Sequence, residues 1–202
     1  PLYSSAASDV YKRQEEKLIG RGVSYCATCD GPLFKDQKVV VVGGGDVAVE
    51  EAIFLSRFVE KATLIHRRRE LRATKTMCER ALSDPKLEFI LNSQVIEILG
   101  ETAVQGVKVR NLETEKDSIV EAKGIFVCIG TVPNSGFLRG VVEMDKEGFV
   151  ITDENMETSL SGVYACGDVR KKFLRQVVTA CGDGATAASA AGQCVRKWKY
   201  EK

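Results

Sequence analysis

The stretch Lys38-Val39-Val40-Val41-Val42-Gly43-Gly44-Gly45-Asp46-Val47-Ala48 decides the fold. Its valine run predicts a buried strand, and the Gly-x-Gly-x-x-Ala pattern that follows is typical of the strand-to-helix turn in dinucleotide-binding domains. Apolar residues at helical spacing continue to Phe58, so strand, glycine turn and helix follow one another in that order. The glycines let the backbone approach a pyrophosphate, which the N-terminus of the helix then stabilises.

Further elements extend this turn into a β-α-β unit. A strand at 62–65 and a helix from Glu70 to Leu82 come next, and Asp84-Pro85 ends that helix. Strands are also predicted at 87–90, 95–99, 104–109 and 124–130, with 119–120 as the returning arm of a hairpin. The sequence therefore predicts an α/β fold with a Rossmann-like nucleotide-binding domain over residues 15–133.

A second region follows this domain. Pro133 and Asn134 break the last strand, and we expect the chain to cross there into residues 134–202. The sequence of this region predicts strands at 149–151 and 163–166. It also predicts an Ala- and Gly-rich helix from Thr179 to Val195 that packs closely on one side. It is too short for a full core of its own, so we expect it to be part of a second domain.

The N-terminal residues 1–14 differ from the rest. They begin without Met and show neither helical nor strand periodicity. We interpret them as a leader, an expression scar or a sequence-end artefact and leave them out of the fold.

The totals exclude several classes of protein. The 202 residues carry a formal net charge of +1, so the overall charge does not favour nucleic acid or an anionic membrane as a partner. No apolar run approaches the roughly 20 residues that a membrane-spanning helix needs, and the N-terminus lacks the pattern of a secretory signal. With 44% hydrophobic and 28% charged residues, we expect a folded, soluble protein of the cytoplasm.

The seven cysteines include one close pair, Cys26-Ala27-Thr28-Cys29. An odd total, with the other five placed singly, differs from a secreted disulfide framework and fits a reducing compartment in which one pair cycles. The single cysteines are expected to be small buried residues. A structural zinc site normally needs four ligands. The sequence has no second C-x-x-C, and His66 is its only histidine, which favours a redox-active dithiol over zinc.

Asp30 directly follows the dithiol. A carboxyl group in this place could give a departing thiolate the proton that it needs, which is general-acid catalysis. Asp before Gly31-Pro32 is equally typical of a turn. From the residues alone, both interpretations stand.

A basic cluster, His66-Arg67-Arg68-Arg69 with Arg72, follows the second strand. An NAD-binding domain places Asp or Glu here on a ribose hydroxyl, whereas guanidinium groups bind the 2′-phosphate of NADP(H) through paired hydrogen bonds. The cluster therefore favours NADP(H). The alternative is a basic surface exposed to solvent, as most basic runs are.

A third motif, Ala165-Cys166-Gly167-Asp168-Val169, precedes Arg175-Gln176 and the helix start at 179–185. Asp168 could accept hydrogen bonds from a polyol chain, and the helix N-terminus could stabilise negative charge on a reduced ring system. By itself the pattern is also that of an ordinary strand, loop and helix.

Together and in this order, the motifs closely resemble those of bacterial-type thioredoxin reductases, a family of flavoproteins with two dinucleotide-binding domains. The resemblance rests on Cys-Ala-Thr-Cys-Asp-Gly, Gly-Gly-Gly-Asp-x-Ala-x-Glu-Glu-Ala, His-Arg-Arg-x-x-x-Arg-Ala, and Gly-Asp-Val with Arg-Gln, and it runs from about Glu15 to Glu201. In that family an NADPH domain is inserted into a two-part FAD domain. The resemblance therefore implies that 15–133 is the NADPH domain carrying the dithiol and 134–202 the C-terminal segment of the FAD domain.

The first FAD segment of the family, with its own Gly-x-Gly-x-x-Gly, has no counterpart in this sequence. We therefore expect the C-terminal portion of such an enzyme, and FAD binding by this portion alone needs a direct test.

The resemblance also implies roles for single residues. NADPH would reduce FAD, and FAD would reduce the Cys26–Cys29 disulfide. Cys29 would be the flavin-side thiol, Cys26 the thiol that attacks the disulfide of thioredoxin, and Asp30 the acid. The cofactor-binding residues that it implies are Gly43, Gly45, Asp46, Ala48, His66, Arg67, Arg68, Arg72, Gly130, Gly167, Asp168, Arg175, Gln176 and Val177.

Among these, Arg67, Arg68 and Arg72 would hold the 2′-phosphate of NADPH. Arg69 stands where the family often has an acid, which should alter affinity more than the choice of cofactor. The family presents the nicotinamide and the dithiol to the flavin in turn by rotating the NADPH domain, and the segments near Gly20 and Pro133 are the predicted hinges. Thioredoxin or a thioredoxin-like protein is the implied partner, and the full-length form is expected to be a homodimer.

Three alternatives accompany this interpretation. The flavoprotein reductase of the alkyl hydroperoxide system is similar in its body but passes electrons to a peroxidase and typically prefers NADH, which the arginines disfavour. A chain without catalysis that retains only nucleotide binding is the second alternative, and the intact dithiol disfavours a pseudo-enzyme. A zinc-binding interaction domain is the third.

Overall fold

The computed structural model describes residues 14–200. Two compact units divide the chain, Pro1–Ile129 and Gly130–Lys202, and the division lies close to the crossing segment predicted around Pro133. The predicted leader lies outside the described residues except for Gln14. This residue lies in a helical stretch at 14–18, and its side chain accepts a hydrogen bond from the N–H of Ile98 at 2.9 Å.

Strands and helices alternate through most of the first unit. The strands are β1 (Val23–Ser24), β2 (Lys38–Gly43), β3 (Lys61–Ile65), β4 (Leu87–Ile90), β5 (Ser93–Leu99), β6 (Gly106–Asn111), β7 (Asp117–Glu121) and β8 (Gly124–Cys128). The helices of this unit are α1 (Ala27–Asp30), α2 (Asp46–Leu55) and α3 (Lys75–Leu82), and α4 (Val177–Tyr200) belongs to the second unit.

Two sheets organise the first unit. Five strands form a parallel sheet in the order β1-β8-β2-β3-β4, and β5, β6 and β7 form an antiparallel sheet with an irregularity between Val95 and Glu97. In the parallel sheet Val40 of β2 lies opposite Ile125 of β8 and Thr63 of β3. This doubly covered parallel arrangement confirms the predicted α/β, Rossmann-like class.

The valine run of β2 packs on both of its faces. Val39 and Val41 belong to a buried cluster with Ala48 and Ala52 of α2, whereas Val40 belongs to a second cluster on the other face. Successive side chains of a strand point to opposite faces, so a continuous apolar run is what a strand buried on both sides requires. The glycine turn at the end of β2 is therefore held on a rigid base.

Several predicted elements of the first unit end earlier or begin later than expected: β6 begins at Gly106 rather than 104, and β8 ends at Cys128 rather than 130. α2 ends at Leu55 rather than Phe58, and α3 begins at Lys75 rather than Glu70. The N–H of Arg72 donates to Gly44 O at 2.6 Å, and the N–H of Thr74 donates to Asp46 Oδ1 at 2.8 Å. Because these backbone groups bond to the glycine turn and to α2, the chain stays in a loop up to Thr74.

The second unit contains the long helix α4 and short turns at Gly136–Leu138 and Gly167–Val169. The strands predicted at 149–151 and 163–166 are wrong, since only isolated bridges such as Met144–Val150 and Glu157–Tyr164 occur there. Side chains take the place of a strand partner for several backbone groups. Asp145 Oδ1 accepts the N–H of Phe149 at 2.9 Å, and Asp153 Oδ1 accepts that of Glu157 at 2.8 Å.

The Ala- and Gly-rich helix is partly buried along one side, where Ala187 is 8% exposed, but its glycines make no close contacts. Beyond the helix's own backbone, no described heavy atom lies within 4 Å of where a Cβ would stand on Gly182, Gly184 or Gly192. Among the described residues, no helix has both the length and the apolar content needed to span a bilayer.

The single cysteines differ from the expectation of burial. Cys166 and Cys181 are exposed, and Cys78, Cys128 and Cys194 are only partly buried. Both exposed cysteines, and the partly buried Cys194, lie in the sparsely packed second unit.

Candidate functional site

The redox pair lies on the short helix α1. Cys26 and Cys29 form a disulfide, with their Cα atoms 5.3 Å apart. Cys26 is the N-cap of α1, and the N–H of Cys29 donates to Cys26 Sγ at 3.1 Å. Cys29 is exposed and Cys26 is partly buried, so both sulfurs are within reach of solvent. An N–H directed at Cys26 Sγ would stabilise a thiolate there once the disulfide is opened.

Asp30 ends α1 and is tied back to the strand that precedes the pair. Its Oδ2 accepts a hydrogen bond from Ser24 Oγ at 2.7 Å, and Ser24 Oγ itself accepts the N–H of Cys26 at 3.1 Å. The turn interpretation and the acid interpretation of Asp30 are thus compatible, because its carboxylate is both structurally fixed and beside the dithiol. Ser24 carries no motif and was not predicted as a site residue.

Glu51 of α2 connects the redox helix to the nucleotide-binding helix. Its carboxylate accepts the N–H of Ala27, which lies between the two redox cysteines, and Cys128 Sγ at the end of β8 donates to Glu51 Oε2 at 3.0 Å. Burial raises the pKa of Glu51, against the opposing effect of these two hydrogen bonds. Burial and the neighbouring carboxylate raise the pKa of the Cys128 thiol. Neither residue was predicted to contribute to the site.

The glycine turn has the shape that a nucleotide phosphate requires. Gly43 has φ +152°, and a Cβ on it would lie 2.4 Å from Cys128 O and 2.7 Å from Ala48 Cβ. Gly45 is the N-cap of α2, so no side chain of the N-cap residue covers the end of this helix. A Cβ placed on Gly45 would meet no atom within 4 Å. The turn is therefore closed on its protein side at Gly43 and open at Gly45, where α2 presents its N-terminal N–H groups.

His66 lies directly against this turn. A Cβ on Gly44 would stand 2.4 Å from the imidazole ring, so only glycine fits beneath it. The ring is 7% exposed, and its Nε2 has no hydrogen-bond partner among residues 14–200. Burial, and then the charges of Arg68, Arg67 and Arg72, lower the pKa of His66 and favour its neutral form.

The arginine loop that follows β3 is open to solvent. Arg67, Arg68 and Arg72 are exposed, and within residues 14–200 none of the three is ion-paired with a carboxylate. Arg69 differs, because its guanidinium pairs with Glu113. The loop that contacts the glycine turn therefore carries three arginines without a carboxylate partner among residues 14–200, whereas Arg69 pairs with Glu113.

Asp46 has a structural partner of its own. Its Oδ1 accepts the N–H of Thr74, so its carboxylate caps the start of α3 while its backbone begins α2. The side chain therefore fixes the end of the arginine loop to the start of α2.

The remaining predicted residues lie in the second unit. Gly130 begins that unit with φ +100°, and Gly167 has φ +77° at the start of the turn that carries Asp168. The Asp168 side chain is 60% exposed. Val177 begins α4 and is 81% exposed, and the N–H of Gln176 donates to Thr179 Oγ1 at 3.1 Å.

An ion cluster holds the Asp168 turn against α4. Asp183 of α4 accepts the N–H of Gly167 at 3.1 Å and pairs with Arg170 at 3.0 Å and Lys172 at 2.9 Å. Although partial burial acts in the other direction, the hydrogen bonds from Lys172 and Arg170 lower the pKa of Asp183. No sequence pattern indicates this role of Asp183 beyond the presence of an acid in the helix.

Arg175 stacks on an aromatic ring in the same unit. Its guanidinium carbon lies 3.9 Å from the centroid of the Phe149 ring, and its buried Nε has no hydrogen-bond partner among the described residues. The stacking fixes the planar group while leaving a donor unused by protein. No group of His, Cys, Asp and Glu that could hold a metal ion occurs among residues 14–200.

The disulfide, the glycine turn and the arginine loop share one unit, and comparison with known proteins places this combination. The model of the family described as "Pyridine nucleotide-disulphide oxidoreductase" matches residues 6–184. The chain belongs to this family. Its description names a pyridine nucleotide and a disulphide, and the first unit contains the Cys26–Cys29 disulfide.

Individual relatives are similar along nearly the whole chain. A thioredoxin reductase of Peptoclostridium acidaminophilum is 50% identical over 187 residues, which are 90% of this chain and 59% of the relative. A thioredoxin reductase of Listeria monocytogenes is 47% identical over 186 residues, 92% of this chain and 58% of the relative. The chain thus spans a little over half the length of the curated relatives that it matches.

Solved structures agree with these relatives. The crystal structure of thioredoxin reductase from Streptococcus pyogenes superposes with a TM-score of 0.83 at 46% identity and covers 88% of this chain and 58% of that chain. The thioredoxin reductase of Giardia duodenalis gives a TM-score of 0.79 at 34% identity, with 90% and 60% covered. The predicted resemblance to thioredoxin reductases and the predicted fold class are confirmed.

Proposed function

We propose that this chain is the NADPH-binding and C-terminal FAD-binding portion of a thioredoxin-disulfide reductase. One observation carries the proposal: the Cys26–Cys29 disulfide and the Gly43–Gly45 turn lie in one unit and are joined through Glu51. In the whole protein, bound NADPH would supply a hydride, and bound FAD would relay the electron pair that reduces the Cys26–Cys29 disulfide.

The residues present fit both cofactors. The open cradle at Gly45, above the N-terminus of α2, suits a pyrophosphate, and the unpaired arginines suit a 2′-phosphate. In the second unit, the exposed Asp168 and the unused Nε of Arg175 suit polar groups of FAD. We assign 134–202 to the C-terminal part of the FAD domain, in line with its apolar side chains that stay exposed, such as Phe173, Val177 and Trp198.

Thiol chemistry in the proposed reaction falls to α1. After reduction, the Cys26 thiolate attacks one sulfur of the partner disulfide, a mixed disulfide forms, and a partner thiolate leaves. Cys29 then attacks Cys26 Sγ, which restores the Cys26–Cys29 disulfide and releases the second partner thiolate. Asp30 supplies and recovers the proton for these thiols, as its fixed place beside the pair allows.

A disulfide trap tests the dithiol roles and the partner in the chain as it stands. Thioredoxin with one of its two active-site cysteines replaced, and the other activated by a thionitrobenzoate group, is mixed with the reduced chain. We expect Cys29→Ser to form a stable link through Cys26, because no second thiol can resolve it. Peptide mapping locates the bond.

The matched control is the variant with both Cys26→Ser and Cys29→Ser. It retains the exposed Cys166 and Cys181, so any link that it forms measures unspecific labelling. A link mapped to those two cysteines in the Cys29→Ser chain, or no link at all, would contradict the proposal. A peroxidase partner with the same kind of activated cysteine, reacting faster than thioredoxin, would favour the reductase of the alkyl hydroperoxide system instead.

A further inference from the structure

We propose that Ser24 is a positioning residue for thiol exchange at the Cys26–Cys29 pair and that it acts through Asp30. This inference rests on the acid role given to Asp30 in the proposed function. It names the side chain that fixes the orientation of that acid.

Ser24 is held in place by the parallel sheet, next to the helix on which the thiol exchange takes place. It is 4% exposed and lies in β1, in parallel register with Phe126 of β8. Phe126 is fully buried in the core beneath the sheet. The hydroxyl group of Ser24 therefore keeps its place relative to the sheet while bonds are made and broken on α1.

The hydroxyl group meets both ends of the redox helix. Its Oγ lies 2.7 Å from Asp30 Oδ2, accepts the N–H of Cys26 at 3.1 Å, and lies 3.3 Å from Cys26 O. A hydroxyl has one proton to donate and two lone pairs. The short contact to a carboxylate is the charge-assisted one and takes the proton, which leaves a lone pair for the N–H of Cys26.

This arrangement decides which oxygen of Asp30 can carry a proton to sulfur. Ser24 occupies Oδ2, so we assign the transferable proton to Oδ1. When an external thiolate attacks one sulfur of the pair, the S–S bond breaks, its electrons go to the departing sulfur, and that sulfur takes the Oδ1 proton. Without Ser24 the carboxyl group rotates freely about its side-chain bonds, and the proton is in line for a smaller fraction of the time.

The test measures reduction of the Cys26–Cys29 disulfide by dithiothreitol, which needs neither NADPH nor FAD. The rate is followed from pH 5 to pH 9 by alkylation and mass spectrometry of the peptide that holds both cysteines, and it is divided by the thiolate fraction of dithiothreitol. We expect the corrected rate to rise toward acidic pH in the unmodified chain, as proton donation by Asp30 requires.

Two variants and their combination separate positioning from structure. Asp30→Asn should abolish the acidic rise, and Ser24→Ala should lower it on the order of tenfold, the size of one lost hydrogen bond to a charged group. Adding Ser24→Ala to Asp30→Asn should change nothing further, since the proton that Ser24 aligns is gone. Ser93→Ala is the control, because Ser93 is also buried, at 2% exposed, but donates to Leu91 O.

Each result has one meaning. An unchanged profile in Ser24→Ala, with a flat profile in Asp30→Asn, overturns the role of Ser24 and leaves the proposed function intact. Equal losses from Ser24→Ala in both backgrounds overturn it too, because they show a purely structural effect. A flat profile in the unmodified chain, or a full acidic rise in Asp30→Asn, removes the acid role of Asp30 from the proposed function and the positioning role with it.

Discussion

At the scale of single residues, the three exposed arginines after β3 differ from Arg69 in having no carboxylate partner within residues 14–200. A guanidinium that is not neutralised by the protein can give its full charge and its paired donors to a phosphate. Arg69 and its neighbours therefore differ in role. Arg69 pairs with Glu113 within the protein, whereas the guanidinium groups of Arg67, Arg68 and Arg72 are available to bind a phosphate.

We expect Arg67→Ala with Arg68→Ala to weaken NADPH binding by at least about tenfold while NADH binding changes little, because only NADPH carries the 2′-phosphate. Titration of the chain with each nucleotide by calorimetry measures both affinities. Arg21→Ala with Arg80→Ala is the matched control, since it removes the same charge from exposed positions elsewhere in the first unit. Equal losses of affinity for NADPH and NADH would show that the arginines only attract negatively charged nucleotides in general and do not bind the 2′-phosphate.

Much of the site was predictable at this scale, and the reason is chemical. The dithiol, the glycines and the arginines each belong to a pattern whose residue types a ligand or a reaction demands. Ser24 and Asp183 belong to no such pattern, and Glu51 lies in the Gly-Gly-Gly-Asp-x-Ala-x-Glu-Glu-Ala motif without a predicted role. A serine two residues before a cysteine, or an acid within a helix, has many uses, and only the distances to Asp30, Cys128 and Gly167 reveal which applies.

At the scale of elements, α1 and α2 pack in one buried cluster through Ala27, Ala48 and Ala52, and Glu51 of α2 accepts a hydrogen bond from Cys128. Its carboxylate is partly buried and its pKa is raised, first by burial. The pKa of Glu51 is higher in the folded chain than the 4.5 expected in the unfolded chain. The contribution of Glu51 to the free energy of unfolding therefore falls as the pH rises from 4.5 toward the folded-state pKa. The folded state holds the proton more tightly, so deprotonation at higher pH works against folding.

We therefore expect Glu51→Gln to flatten the fall in the free energy of unfolding between pH 4.5 and pH 7.5. Urea unfolding at several pH values, followed by circular dichroism, gives the difference between the variant and the unmodified chain. Glu50→Gln, at the exposed neighbouring position of the same helix, is the control. If the two variants show the same pH dependence, Glu51 titrates as a surface carboxyl and the link between the helices is weak.

Elements were predictable where their own residues carry an apolar run and not where the chain bonds to distant groups. β2, buried on both faces, extends one residue beyond its prediction, and the edge strand β4 has the predicted bounds. The start of α3 depended on bonds from Arg72 and Thr74 to another part of the chain, and no local pattern records such bonds. The same holds for 149–151, where Asp145 replaces a strand partner.

At the scale of the whole molecule, the buried clusters are distributed unequally. Both of them lie between Leu18 and Val127, within the first unit. In the second unit the buried apolar residues are scattered, and the long helix α4 leaves Trp198 74% exposed. Stability should therefore reside mainly in the first unit.

We expect residues 14–129, produced alone, to unfold in one cooperative transition and to bind NADPH as tightly as the complete chain, because the core and the nucleotide site both belong to that piece. Residues 130–202 alone should show no such transition. Circular dichroism in urea and nucleotide titration test both statements. Loss of cooperative unfolding in 14–129 would show that the second unit contributes to the stability of the first.

The bond from the Arg72 N–H to Gly44 O has a consequence for how coenzyme preference can evolve or be redesigned. It joins main chain to main chain, so it does not depend on which side chains the arginine loop bears. If Arg67, Arg68 and Arg72 hold the 2′-phosphate as proposed, substituting these side chains should exchange one coenzyme for another while the main-chain bond keeps the loop beside the glycine turn. The side chains that would select the coenzyme and the main chain that positions them can therefore be changed independently, and a redesign can replace these side chains without rebuilding the loop.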